Sequence, residues 1–575
     1  MFKLSKFLKP FKIPISFVLV LILLQSIAEL YLPTLMADIV DKGVVTGDTN
    51  YIWKIGGLML LVAAGGMICS IVASFYSAKA ASGFGKLLRS KTFAHVGNFS
   101  LHEFDKLGTA SLITRTTNDI TQVQQVLIMM LRMMVMAPMM CIGGIIMALS
   151  KDAKLTLVLA VSLPVLVITI VIIARKGMPL FKAMQVKLDN LNRVLRENLT
   201  GIRVIRSFNR VSHEKKRFDA ANWDLTQTAI KVNKLMAAMM PIMMIVLNLT
   251  TVAIIWFGGI RISNGHMEVG DMMAFIQYAM QIMFSFVMLS MMFVMIPRAS
   301  VSAGRINEVF ETTADIQDPA VSVPAKEQKG QVEFRNVTFS YPGAEMPVIS
   351  NISFKMNPGE VTAIIGGTGS GKSTLINLIP RFYDVDSGKV LVDGVDVSEM
   401  KQETLREKIG FVPQQAVLFT GTISENIRYG KEDASDKEVQ HAAEIAQATE
   451  FIGNMPEGFH SVIAQGGTNV SGGQKQRLSI ARALVRKPEI YIFDDSFSAL
   501  DFKTDAKLRA ALKAETASSS MLIVAQRVST IMDADQIIVL DNGEIAGIGK
   551  HKELMEISKV YREIVMSQLS EEEIA

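Results

Sequence analysis

Cysteine is almost missing from this chain. Two stand in 575 residues, Cys69 and Cys141, each inside an apolar stretch. That leaves no material for a disulfide framework or a thiolate metal site, and both read as buried, inert thiols. Net charge is scarce as well: +5 over the whole length singles out no charged partner, and no nucleic-acid partner is expected. Charged residues make up 20% of the chain and apolar ones 50%, a high apolar share for a soluble protein. The surplus is uneven, since 28 of the 36 methionines precede Gly330. A chain this long needs at least two domains. Composition places an apolar membrane domain at 1–310, a polar linker with two prolines at 311–330, and a domain of ordinary soluble composition at 331–575.

Six apolar runs occupy the first part, roughly Ile13–Leu32, Ile52–Tyr76, Val126–Leu149, Leu155–Ala174, Leu235–Trp256 and Met272–Ile296. Each reaches or approaches the ~20 residues that cross a hydrocarbon core. In lipid each must satisfy its own backbone, so all six are expected to be helices. The first is too long for a cleaved signal peptide, and no small-residue cleavage site follows it. Lys and Arg set the orientation. The segments after the first, third and fifth runs hold four, whereas the N-terminus, 79–125 and 175–234 hold twenty-four. Both termini and two long loops therefore belong in the cytoplasm of a multi-pass cell-membrane protein. "MFKLSKFLKPFK" at the N-terminus reads as an amphipathic helix on the inner membrane surface. The long loops should form helical arms reaching ~30 Å beyond the membrane. Their turns are expected near Ser100–Lys106 and Ser207–Glu214.

Methionine crowds the third, fifth and sixth spans. Its flexible thioether suits a surface accepting many apolar shapes, and equally suits plain helix packing. Gln25, Glu29 and Arg132 lie within apolar runs, where polar and ionisable groups are costly; they read as pore-lining, with a headgroup position as the alternative.

The second part opens with a strand-like segment. Its "GEVTAIIGGTGSGKST" then reads as a buried strand, a glycine loop and a helix start. Gly366, Gly367, Thr368, Gly369, Ser370, Gly371, Lys372 and Ser373 fit G-x-x-x-x-G-K-[ST] in full, with Thr374 next. Such glycines let backbone N–H groups close around phosphate oxygens at a helix N-terminus. Lys372 is then the ligand of the β- and γ-phosphates of ATP, and Ser373 a ligand of Mg²⁺. "EIYIFDD" supplies the second element, a buried strand delivering Asp494 to the magnesium. Ser471, Gly472, Gly473 and Gln474 open another helix with a second glycine-rich phosphate-binding N-terminus. One nucleotide does not need two cradles in one subunit, whereas two subunits facing head to tail would use both.

Through these residues the chain resembles the ABC transporter family over nearly its whole length. Six N-terminal spans with two long inner loops are similar to the exporter half-transporter pattern. The "VSGGQ" signature, the aromatic Tyr341 before the phosphate loop, Gln414 in "FVPQQ" and Asp501 in "SALD" are similar to the family's remaining motifs. The resemblance implies a helical membrane domain joined to an α/β P-loop ATPase domain. It implies that Tyr341 stacks on adenine and that Gln414 senses the γ-phosphate and magnesium. Ser471 and Gly473 would contact the γ-phosphate bound by a partner subunit. Coupling helices would lie near Phe104 and Phe208, the second seated on the partner's ATPase domain.

Two positions depart from the pattern. The family usually has glutamate after the magnesium aspartate, and here it is Asp495; histidine is usual where Gln526 stands. A carboxylate one methylene shorter sits ~1 Å too far back, a shift that can cost on the order of a hundredfold. Glutamine cannot carry charge as imidazolium can. With loop and signature kept, the expectation is a site that binds ATP and hydrolyses it poorly, within a heterodimer whose partner carries the glutamate and histidine. The expected cargo is hydrophobic or amphipathic, as in multidrug efflux. A lipid or peptide exporter, or an ATP-gated regulator or channel, stays open as an alternative.

Overall fold

The computed structural model describes residues 2–321, 323 and 329–569, so part of the expected linker lies outside the described residues. The chain forms two compact units, Met1–Gly97 with Ala110–Thr312, and Asn98–Thr109 with Thr313–Ala575.

In the first unit, α1 (Lys12–Asp38) and α2 (Thr49–Val96) form a hairpin. Residues 98–109 carry α3 (Leu101–Leu107), which belongs to the second unit. A short α4 (Thr109–Thr114) and a π segment (Arg115–Asp119) lead into α5 (Ile120–Lys151). Then come α6 (Thr156–Thr200), α7 (Ile202–Ser207), α8 (Val211–Ser263) and α9 (Val269–Glu311). Among the described residues, six helical stretches are long and apolar enough to cross a membrane. In the most apolar window of α2 only 11% of residues are buried by protein. A water-soluble bundle would not leave that much apolar surface uncovered, and lipid is the solvent that tolerates it. Helices α1, α5 and α9 pack around fully buried Tyr278, whose hydroxyl donates to Leu30 O at 3.1 Å.

Gln25 is buried and donates to Glu29 Oε1 at 2.8 Å, while Arg132 is exposed. Cys69 and Cys141 are free and half-buried. The N-terminal segment is a 3₁₀ helix (Phe2–Phe11) whose Leu4 is buried among Phe84, Leu88, Ile120 and Ile306, with the Phe7 ring tilted against Phe310 at 5.3 Å. Lys3 pairs with Glu311. The second loop turns at 208–210, within the expected 207–214, and a further break at Gly201 separates α6 from the short α7. After α7, Asn209 takes a positive φ of 51° and closes the turn.

The second unit contains two larger sheets. In the first, β1 (Val332–Phe339) pairs antiparallel with β2 (Ile349–Met356) and β4 (Ser387–Val392), and β5 (Val395–Asp396) follows β4. The six-stranded sheet has the order β12-β11-β3-β10-β9-β6. Its strands are β3 (Val361–Gly366), β6 (Ile409–Val412), β9 (Ile490–Asp494), β10 (Ser520–Val524), β11 (Gln536–Asp541) and β12 (Glu544–Gly549), parallel except β11 against β12. The central strands β9 and β10 are buried at every residue, which explains their unbroken apolar runs. A small pair, β7 (Gly421–Thr422) with β8 (Val462–Ile463), lies near a helical region. That region holds α12 (Ile423–Arg428), α13 (Asp436–Ile445), α14 (Thr449–Gly453) and α15 (Gly472–Val485), while α11 (Gln402–Glu407) packs beside β6. Helix α10 (Lys372–Leu378) follows β3, α16 (Phe502–Glu515) follows β9, and α17 (His551–Ile557) and α18 (Lys559–Gln568) end the described chain.

Candidate nucleotide site

Strand register assembles the site. Val524 of β10 lies opposite both Asp494 of β9 and Ile364 of β3. The carboxyl ends of three parallel strands therefore finish side by side, and the groups that follow them meet there. Open parallel sheets place their ligands outside this edge.

After β3 the loop must turn tightly into α10. Gly369 and Gly371 have φ of +84° and +93°, and a Cβ on Gly366 would sit 2.2 Å from Leu540 O. Gly367 and Gly369 have open space where a Cβ would project, so their backbone is accessible to a ligand. Lys372 Nζ folds back over the loop to Gly366 O at 2.9 Å and Gly367 O at 2.7 Å. Burial lowers its pKa, opposed by Asp495 and Asp494. Ser370 and Thr374 are buried. Thr368 sits in the same turn and is exposed. Tyr341 is half-buried, its hydroxyl 3.0 Å from Thr374 Oγ1 and its ring edge-on to Tyr383 at 5.4 Å. Tyr383, in turn, is pushed up to about 12 by burial and by Asp105 of α3.

Ser373 Oγ donates to Asp494 Oδ1 at 3.2 Å. A hydroxyl and a carboxylate side by side at a phosphate loop are the hard oxygen donors Mg²⁺ takes. Asp494 is raised by desolvation and then by neighbouring Asp495. Two carboxylates crowded at a buried edge are a site in need of a cation, so the residues fit the metal.

Asp495 differs from its neighbour in backbone conformation and in partners. It leaves the strand with φ of 45°, a left-handed conformation that aspartate tolerates better than longer residues. Its carbonyl accepts from Ser498 Oγ at 2.8 Å. Its carboxylate Oδ2 accepts from Gln526 Nε2 at 2.9 Å and from Gln414 Nε2 at a longer 3.4 Å. Burial raises its pKa. The structure thus brings Lys372, Ser373, Asp494, Asp495, Gln414 and Gln526 together.

The signature residues lie at another helix start. Ser471 caps α15, receiving Gln474 N at 3.3 Å while Gln474 Oε1 accepts from Ser471 N at 2.8 Å. Ser471 and Gly472 are exposed, and a Cβ on Gly473 would meet Ala499 O at 3.1 Å. Asp501 caps α16 through Thr504 N at 2.9 Å, and these bonds hold its pKa down. Sequence reading missed Gln476, which is buried and donates to Pro413 O at 3.2 Å, tying α15 to the segment carrying Gln414. It missed Tyr383 and Gln568 too. Their contacts span 42 positions each, to Tyr341 and Gln526, and no local pattern announces such pairs.

Comparison with known proteins gives consistent results. Residues 15–286 match the family described as ABC transporter transmembrane region, and residues 349–498 match the family described as ABC transporter. An uncharacterized ABC transporter ATP-binding protein of Mycobacterium tuberculosis is 43% identical over 98% of this chain and 97% of its own. An ATP-dependent lipid A-core flippase of Chromobacterium violaceum is 31% identical over 95% of this chain and 93% of its own. A solved bacterial Atm1-family ABC exporter with ATP bound superposes with a TM-score of 0.81 at 26% identity, covering 97% of this chain and 98% of that one.

Proposed function

The chain belongs to the ABC transporter family, as an exporter half-transporter of the Atm1 and lipid-flippase type, and we propose that its own ATP site grips nucleotide without hydrolysing it efficiently. The observation that carries this reading is the state of Asp495. Its side chain is one methylene shorter than the glutamate usual in the family, and its carboxylate already receives Gln526.

Lys372 and the N–H groups of 367–373 grip the phosphates of ATP, Tyr341 stacks on adenine, and Ser373, Asp494 and Gln414 hold Mg²⁺. Magnesium at that position supplies charge neutralisation on the transferring phosphoryl group. What this chain must add is a base aimed at the attacking water. Asp495 falls short by a methylene and is turned toward an amide, and Gln526 offers a neutral donor where a cation would hold the γ-phosphate. The exposed Ser471–Gln474 edge is free to complete the site of a partner half-transporter, whose own glutamate and histidine do the chemistry. The complex is a heterodimer in the cell membrane, with the ATPase domains and termini cytoplasmic. Helix α3 and the tip around α7 act as its coupling helices.

The cargo in this reading is hydrophobic or amphipathic, as in multidrug efflux. Likeness to a lipid A-core flippase favours a lipid-like amphiphile as the second reading. Direct transport by the assembled complex separates both from an ATP-gated channel. The test of the site is ATP turnover by the chain purified alone and then with the most similar half-transporter of the same genome. Weak turnover alone and brisk turnover together are expected; brisk turnover alone contradicts the reading.

A further inference from the structure

The last turn of the described chain holds the loop that carries Gln526. Gln568 Nε2 donates to Gln526 O at 2.8 Å, and Gln568 Oε1 accepts from Val528 N at 2.8 Å. Only one orientation of an amide satisfies both bonds, donor to carbonyl and acceptor to N–H. The two backbone groups flank Arg527, so one side chain fixes both sides of the turn. Helix α18 is itself well seated. Tyr561 and Val565 are fully buried, and Tyr561 Oη lies 2.8 Å from His551 Nδ1. Tyr561, Val565 and Gln568 follow the i, i+4, i+7 spacing of one helix face. That face delivers the exposed amide of Gln568 to the loop.

We infer that Gln568 is a positioning residue for the ATP site: from the C-terminal helix it sets the backbone of 526–528, and through it where the side chain of residue 526 points. At present that side chain reaches Asp495. The inference deepens the reading above and rests on it, since Gln526 matters only if the terminal phosphate of ATP binds beside Asp495. It assigns the C-terminal helix a part in telling ATP from ADP.

The test uses the full chain in detergent, in three forms: unsubstituted, Gln568→Ala and, as a control on the same turn, Ser567→Ala. Two readouts are taken, hydrogen exchange over 525–530 and the affinities for ATP and ADP in magnesium. Gln568→Ala should speed exchange at 526–528 and lower the preference for ATP over ADP about tenfold, the scale of two hydrogen bonds. Affinity for ADP should hold, and Ser567→Ala should change neither readout. Gln568→Glu keeps an acceptor for Val528 N–H but loses the donor to Gln526 O, and should fall between. Unchanged exchange, or equal losses for ATP and ADP, overturns the inference, the second because it marks a merely structural role. If the unsubstituted, folded chain binds no ATP, the nucleotide reading fails, and exchange at 526–528 still decides whether the clamp exists.

Discussion

At the phosphate-gripping end of the site, Lys372 folds onto the carbonyls of its own loop, Ser373 reaches Asp494, and two glycines, Gly367 and Gly369, leave the backbone accessible. At the water-activating end, some 120 residues later in sequence, Asp495 stands in a left-handed turn with its carboxylate held by a glutamine. The first end holds a half-buried ammonium whose hydrogen bonds go to neutral carbonyls, and a carboxylate, Asp494, raised by burial and bonded to a hydroxyl. At the second end Asp495 is raised by burial as well, but its carboxylate receives the amides of Gln526 and Gln414. A group that keeps its partners gains little from a ligand, whereas buried and underpartnered charges gain much. Binding and hydrolysis are thus separable properties in one small volume.

The largest test of that contrast restores the second end. Asp495→Glu with Gln526→His in the same chain should raise ATP turnover by about a hundredfold, the scale of a correctly placed carboxylate. Steady-state phosphate release reads it. Glutamate is a poorer fit than aspartate to φ of 45° at residue 495, so the gain should come with some loss of stability.

A smaller effect probes the first end. Asp494 is desolvated, and its pKa stands above the ordinary 3.8. A raised carboxyl binds protons in the folded state that the unfolded chain does not. Its contribution to stability is therefore present below pH 3.8 and lost as pH rises through the folded pKa. Asp494→Asn should stabilise the nucleotide-free ATPase domain by about 1 kcal/mol at neutral pH. The gain should vanish toward pH 3.8, and the magnesium dependence of nucleotide binding should be lost with the substitution. Thermal unfolding across pH, without nucleotide, checks this.

Much of this was legible in the chain. The phosphate loop could be read because its chemistry is local: eight consecutive residues make one turn and one helix start. The six spans could be read because lipid imposes length and polarity on each separately. The departures at Asp495 and Gln526 were visible as residue types. Their hydrogen bond was not, since it needs β9 and β10 to finish in register. Tertiary packing was not legible either: Leu4 and Phe7 read as the apolar side of an amphipathic helix, while their partners Leu88 and Phe310 stand far along the chain. The turn of the second loop was legible from its polar stretch at 207–214, whereas the earlier break at Gly201 rests on one residue in a helical pattern.

The most direct test of a site that grips and does not cut is the identity of the nucleotide it keeps. The purified chain is mixed with magnesium and ATP, freed of unbound nucleotide, denatured, and its bound nucleotide separated by chromatography. Intact ATP, retained over many minutes, is the predicted result. Recovery of ADP would contradict the account, because Asp495 would then have served as a working base.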